Sequence, residues 1–329
     1  MDAMVLEQAR HPLVLKKLEV PKPGPGQVLI RVIACGICRT DLHVIDGELT
    51  QPKLPLIPVH EIIGRIAALG NSVADPQLDE LVGVPWLGYT CGQCKYCKAG
   101  KENLCENALF TGYTVDGDYA EYTVADVRFC FKLDEKYAAA SSTPLLCAGL
   151  IGYRSYRMIE PLAKNVGFYG FGAAAHILVQ LAVAQGKKIF AFTRDGDQQA
   201  QDFALRMGAC WAGGSSDSAP EILDAAIIFA PAGALIPKAL KDVDKGGQVI
   251  CGGIHMSDVP SFSYDLLWGE RMVKSVANLT RSDGIEFFEL LKNMKIDVET
   301  ELFDLREANQ ALEKFRSGQI SGAAVLVMS

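Results

Sequence analysis

Apolar and polar positions follow two different rhythms along this chain, and the change falls near residue 149. In the first part the apolar runs are short and strand-like. Residues 28–34 (Val-Leu-Ile-Arg-Val-Ile-Ala) follow a Pro/Gly-rich stretch at 21–26 and predict a strand entered through a turn. Residues 61–68 predict a second strand broken by Gly64, and residues 119–124 alternate at period two. No helix–strand repeat accompanies them, so an antiparallel barrel or sandwich with insertions is expected.

After residue 149 strands alternate with helices. Residues 166–170 predict a buried strand, 173–185 a helix stopped by Gly186, 188–193 a strand, and 198–207 a helix ended by Gly208. Residues 225–230 and 247–251 predict further buried strands. Such alternation implies a doubly wound parallel sheet and an α/β fold class overall. The chain closes with a predicted helix at 305–317 and a strand at 323–328.

Composition narrows the function classes. A chain of 329 residues is long for a single core, so two domains are expected. With 49% hydrophobic and 22% charged residues it is globular in character rather than disordered. A net charge of −7 argues against a nucleic-acid partner, which calls for a basic face. Runs such as 177–184 are too short to span a bilayer, so no membrane partner is expected. Residues 1–10 lack a basic region followed by an apolar core. Together with ten cysteines, this points to a reducing, cytoplasmic setting and to metal or thiol chemistry.

Two motifs carry specific chemistry. Cys91, Cys94, Cys97 and Cys105 form a C-x2-C-x2-C-x7-C array, the ligand set of a closed tetrahedral zinc site. Four cysteines also suit an iron–sulfur cluster, and a redox-active pair is a third reading. The second motif is Gly170-Phe171-Gly172-Ala173-Ala174-Ala175, placed between a predicted strand and helix. It fits the G-x-G-x-x-G/A dinucleotide loop: Gly170 for the tight turn, Gly172 for close approach of a pyrophosphate, and Ala175 where helix meets strand. The following strand ends at Thr193-Arg194, where an acidic residue would bind the ribose of NAD. Thr193 does not repel a 2′-phosphate and Arg194 can pair with one, which favours NADP, although Asp195 or Asp197 could take the ribose role.

Three further segments hold Cys38-Arg39-Thr40-Asp41-Leu42-His43, His60-Glu61 and Cys147. Two thiolates and an imidazole make a zinc site with an open fourth position. Spacing alone does not select these three residues. In combination and in this order, however, the motifs resemble the zinc-dependent alcohol dehydrogenases of the medium-chain dehydrogenase/reductase superfamily, over nearly the whole chain. The resemblance implies a GroES-like antiparallel β-barrel domain at 1–148 and 295–329, with a zinc lobe at 88–107, and a Rossmann cofactor domain at 149–294. It implies two zinc ions per chain, a catalytic one on Cys38, His60 and Cys147 and a structural one on the four-cysteine array. It also implies NAD(P) as cofactor, a small alcohol or aldehyde as substrate, and a homodimer or homotetramer.

The resemblance implies roles for neighbouring residues as well. Thr40 accepts the alcohol proton and His43 passes it to solvent. Asp41 accepts the free N–H of His60, Glu61 sits behind the metal, Arg39 binds the cofactor pyrophosphate, and Trp86 lines the substrate pocket. The implied reaction is reversible hydride transfer between an alcohol, primary and small to medium in size, and NAD(P). A related aldehyde or polyol reductase and a non-catalytic zinc-binding redox sensor are the alternatives. Two positions depart from the family pattern. Val59 stands where the family has glycine, which is expected to shift the loop but spare the ligands. Ala323 stands where an arginine contacts the cofactor.

Overall fold

In the computed structural model, which describes residues 1–253, 256–320 and 322–328, the 28–34 run lies within a ten-residue strand, Gln27–Gly36. All its residues from Val28 onward are buried except Arg31 and Ile33, as suits a central strand. It pairs antiparallel with Glu61–Leu69, Tyr122–Asp126 and Ala323–Val327. Thr300–Asp304, Leu81–Val84 and Phe131–Lys132 complete a seven-stranded sheet.

Two expectations need correction here. Gly64 does not break its strand. A Cβ at Gly64 would stand 2.5 Å from the Arg31 carbonyl oxygen, so the glycine lets two strands approach where their register shifts. The 119–124 run does not form one strand either. Its strand is Tyr122–Asp126, while the fully buried Tyr119 accepts a hydrogen bond from Met4 N–H at 2.7 Å through its carbonyl.

The chain divides into two compact units, Met1–Cys147 with Asn278–Ser329, and Ala148–Ala277. The second unit is built on a six-stranded, all-parallel sheet. Its spatial order is Trp211–Gly214, Lys188–Thr193, Asn165–Tyr169, Leu223–Ile228, Val243–Cys251 and Met272–Ser275. Numbered along the chain this is 3-2-1-4-5-6, the doubly wound dinucleotide-binding order. Inside it, Tyr169 stacks on Phe192 at 4.1 Å between ring centroids.

The helix Arg281–Leu291 packs within the first unit, so the return to that unit comes at 278 rather than at the expected 295. Its N-terminus carries a Thr280/Asp283 capping box. Phe288 packs against Phe131 at 5.8 Å, and the Tyr137 hydroxyl lies 2.8 Å from the carbonyls of both Leu291 and Met294. The 305–317 run forms a 3-10 turn, Leu305–Glu307, followed by the α-helix Ala308–Arg316. Among the described residues no helix is long and apolar enough to cross a membrane.

Gly284 lets this helix seat on Phe131, because a Cβ there would stand 2.2 Å from the ring. An alanine inside a helix ordinarily stabilises by roughly 0.5–1 kcal/mol over glycine. Gly284→Ala is expected to reverse that sign and destabilise by about 1–3 kcal/mol through overpacking. Urea denaturation checks this; an increased midpoint would show that the helix seats differently.

Candidate metal centre and cofactor loop

Sheet register explains how residues far apart in sequence meet. Gly36 pairs with Glu61, so Cys38 lies just past the end of one strand and His60 just before the start of its neighbour. Cys147 arrives at the end of the 3-10 segment Ala140–Leu146. The approach is close: a Cβ at Gly36 would stand 2.1 Å from Glu61 Oε2 and 3.0 Å from Thr143 Oγ1.

Cys38, His60, Glu61 and Cys147 each offer a ligand atom, all within 4.8 Å of one another. Cys38 Sγ lies 3.6 Å from Cys147 Sγ, and His60 Nε2 lies 3.3 Å from Cys147 Sγ. Zinc–sulfur bonds of about 2.3 Å at tetrahedral angles put two thiolates about 3.8 Å apart, so the donor set fits zinc. Asp41 organises the set with both oxygens. Oδ2 accepts from Cys38 N–H at 2.7 Å as part of a capping box for the helix Arg39–Ile45. Oδ1 lies 3.2 Å from His60 Nδ1, and neither atom has another partner. That leaves Nε2 of His60 facing the thiols, the arrangement a metal-bound imidazole needs.

The charges are strongly coupled. The hydrogen bond between Cys38 and Cys147 draws the Cys38 thiol well down and pushes Cys147 well up. Burial pushes the Glu61 and Asp41 carboxyls up. Burial works against protonating His60, but the Asp41 carboxylate and the Cys38 thiolate together push the imidazole up. Thr40 Oγ1 is buried 3.7 Å from Cys38 Sγ. His43 Nδ1 pairs with the Glu48 carboxylate.

Trp86 meets His60 edge-on at 4.8 Å and stacks on Phe110 at 5.4 Å and Tyr113 at 5.7 Å. No sequence signal marked Phe110 or Tyr113, which act through contacts with Trp86 from a separate segment, or Glu48, which meets His43 from just past the end of its helix. Val59, just before His60, is fully buried with φ +83°. It holds a left-handed conformation that glycine occupies without strain and that costs other residues about 1–2 kcal/mol.

The four-cysteine lobe is a second cluster. Cys91 Sγ lies 3.9 Å from Cys97 Sγ and 3.5 Å from Cys105 Sγ, and all ten cysteines of the chain are free of disulfides. Backbone N–H groups of Cys94 and Cys97 point at the Sγ atoms of Cys91 and Cys94, at 3.4 and 3.5 Å. The backbone N–H of Gln93 leads in drawing the Cys91 thiol down to about 6, while loss of hydration raises Cys97 to about 11. Behind the lobe, Glu102 is buried and accepts from Arg281 N–H at 2.9 Å.

In the second unit, Gly170 has φ +90° and a Cβ there would stand 2.8 Å from Ala230 N, so both the turn and the packing need glycine. Gly172 has nothing within 4 Å of its Cβ position. It precedes the helix Ala173–Ala184, whose N-terminus has no side-chain cap and so leaves its first N–H groups for an anion. Phe171 rests edge-on against Phe203 at 5.9 Å, Ala174 is half-buried, and Ala175 is fully buried. Thr193 is buried, with its hydroxyl 3.3 Å from the Gly213 carbonyl, whereas Arg194 is exposed. Asp195 accepts from Ser216 N–H at 3.0 Å and Asp197 from Ala200 N–H at 3.0 Å, so both carboxylates are engaged locally. In the first unit, the Arg39 guanidinium lies over the Phe315 ring at 5.7 Å. Ala323 is buried, with its N–H donating to Glu299 O at 2.9 Å.

Residues 24–135 match the family described as alcohol dehydrogenase GroES-like domain. A probable alcohol dehydrogenase AdhA of Mycobacterium tuberculosis is 43% identical over 324 residues, which covers 96% of this chain and 93% of that protein. The solved structure of an acetophenone reductase from Geotrichum candidum in complex with NAD superposes with a TM-score of 0.84 at 30% identity, over 99% of this chain and 96% of that one. That of CAD from Helicobacter pylori complexed with NADP(H) superposes at 0.86 with 25% identity, over 99% and 97%. Full-length likeness and a thiol-rich donor set at the sheet ends agree, and this chain belongs to the zinc-type alcohol dehydrogenases of the medium-chain dehydrogenase/reductase superfamily.

Proposed function

We propose that this protein is an NADP-linked alcohol dehydrogenase with two zinc sites, a catalytic one at Cys38, His60 and Cys147 and a structural one at Cys91, Cys94, Cys97 and Cys105. The observation that carries the reading is the pair of donor clusters, one of three ligands with a carboxylate behind and one of four thiols. When bound, zinc supplies a Lewis acid that lowers the pKa of an alcohol hydroxyl, and the nicotinamide supplies the hydride acceptor.

The chain's own residues do the rest. Asp41 keeps His60 in the tautomer that leaves Nε2 as a donor pair. The Thr40 hydroxyl would accept the alcohol proton while giving up its own, and His43, oriented by Glu48, would release a proton to solvent at the end of that relay. Trp86, with Phe110 and Tyr113 stacked against it, presents an aromatic wall beside His60. Such a wall suits an apolar primary alcohol of small to medium size and disfavours a polyol, whose hydroxyls would go unpaired there.

Gly170 to Ala175 would bind the pyrophosphate at the helix N-terminus, whose first N–H groups carry no side-chain cap. Arg194 pairs with the 2′-phosphate, since Thr193, Asp195 and Asp197 are all engaged elsewhere. Self-association as a homodimer or homotetramer is part of the proposal. Met272–Ser275 is an edge strand with exposed Met272 and Val273, preceded by Trp268 at 69% exposure. Ten free thiols suit a cytoplasmic setting.

Cys38→Ser is expected to lower bound zinc by one equivalent and kcat/KM by at least about a thousandfold. Cys97→Ser is expected to lower zinc and melting temperature with a smaller loss of turnover per folded molecule, because a structural zinc contributes folding energy. Loss of activity at an unchanged melting temperature would contradict that assignment. Arg194→Ala is expected to weaken NADP about tenfold relative to NAD, the scale of one charge-assisted contact; fluorescence titration showing equal weakening would refute the phosphate role. Light scattering should give a mass of at least two chains, and a monomer would refute self-association.

A further inference from the structure

We infer that the turn Gly112–Gly117 is a positioning element for His60 and acts through the peptide of Val59. The inference rests on the reading of Cys38, His60 and Cys147 as metal ligands. Residues 57–59 run against this turn with no room to spare. A Cβ at Gly117 would stand 1.9 Å from the Val59 carbonyl oxygen and 2.6 Å from that of Pro58. A Cβ at Gly112 would stand 2.4 Å from Val59 N and 2.5 Å from its oxygen. Hydrogen bonds hold the two segments together. Gly117 N–H donates to Ile57 O at 2.7 Å, and Asp118 N–H to Pro58 O at 3.0 Å. Asp116 Oδ1 accepts from Ile57 N–H at 3.1 Å, and the same carboxylate pairs with Lys53.

This clamp explains how a buried, β-branched residue keeps φ +83°. Freed from it, Val59 would relax to an extended conformation. Glu61 is already locked in the sheet opposite Gly36, so the relaxation would re-aim the 59–60 peptide and His60 with it. Asp41 fixes the rotation of the imidazole ring, and the turn fixes the direction from which the ring enters the thiol pair. Gly112 and Gly117 are therefore positioning residues of the metal centre, although neither carries a side chain.

The test uses the zinc-loaded full-length chain. Gly117→Ala pushes a methyl group into the Val59 carbonyl. It is expected to lower bound zinc from two equivalents to one and, after cobalt substitution, to remove the cobalt–thiolate band of the three-ligand site while that of the four-cysteine site remains. Adding Val59→Gly to that variant is expected to restore the second zinc, because glycine reaches backbone angles closed to valine and can step away from the methyl. A G117A chain that keeps two zincs, with unchanged release to a chelator, overturns the inference. So does a G117A chain that loses metal and is not rescued by V59G, which would make the turn a general folding element. Cys38→Ser tests the underlying reading separately. If that variant still binds two zincs, the ligand assignment fails whatever G117A does.

Discussion

The pairing of Gly36 with Glu61 is the contact on which the metal centre depends. It joins the end of one strand to the start of the next, and the absence of a side chain at Gly36 leaves the room that the Glu61 carboxylate occupies. Cys38 and His60 then emerge side by side, and the helix that starts after Cys38 carries Asp41 back to both. Strand pairing is cooperative and stiff, so ligands at strand ends are held more closely than ligands on free loops. The buried Glu61 carboxylate follows from the same register. As the first residue of its strand, it has no choice but to sit behind the thiols.

Around this pairing the chain uses bare backbone as a packing element. Gly36 admits Glu61, Gly64 admits the Arg31 carbonyl, and Gly112 and Gly117 admit the peptide before His60. Each contact is short enough that a methyl group would collide. Val59 is the counterpart: a residue with a side chain in a conformation suited to one without, held there because its surroundings over-determine it. The four-cysteine lobe stands apart from this arrangement. Its thiols are gathered by local backbone N–H groups, and Glu102 ties it to the start of the helix Arg281–Leu291.

Local signals were legible where chemistry and spacing coincide. The Gly170–Ala175 segment was readable because glycine at 170 supplies the positive φ of the turn and the alanines that follow favour a helix. The strand Lys188–Thr193 was readable to the residue from its apolar run. The four cysteines lie within fifteen residues of one another, so their meeting needed no knowledge of the fold. Gly64 misled because glycine is usually a strand breaker, and only a neighbouring carbonyl reveals it as a close-approach site. The return to the first unit at residue 278 was not legible, because a helical pattern such as that of Arg281–Leu291 says which face is apolar but not which core receives it. Phe131 and Tyr137, from a distant part of the chain, decided that.

By itself, then, the sequence determined the two rhythms of secondary structure, the cofactor loop, the four-thiol array and the family resemblance. All of these are carried by residues near one another along the chain or by the order of motifs. Only the tertiary structure decided that Cys38, His60 and Cys147 share a pocket, that Asp41 spends one oxygen on each neighbour, and that Trp86 leads an aromatic stack. It also decided that Val59 keeps a glycine's backbone. The physical reason is common to all four. Each depends on strand register and on contacts a few ångströms long between segments far apart in sequence, and no local pattern encodes a distance of that kind.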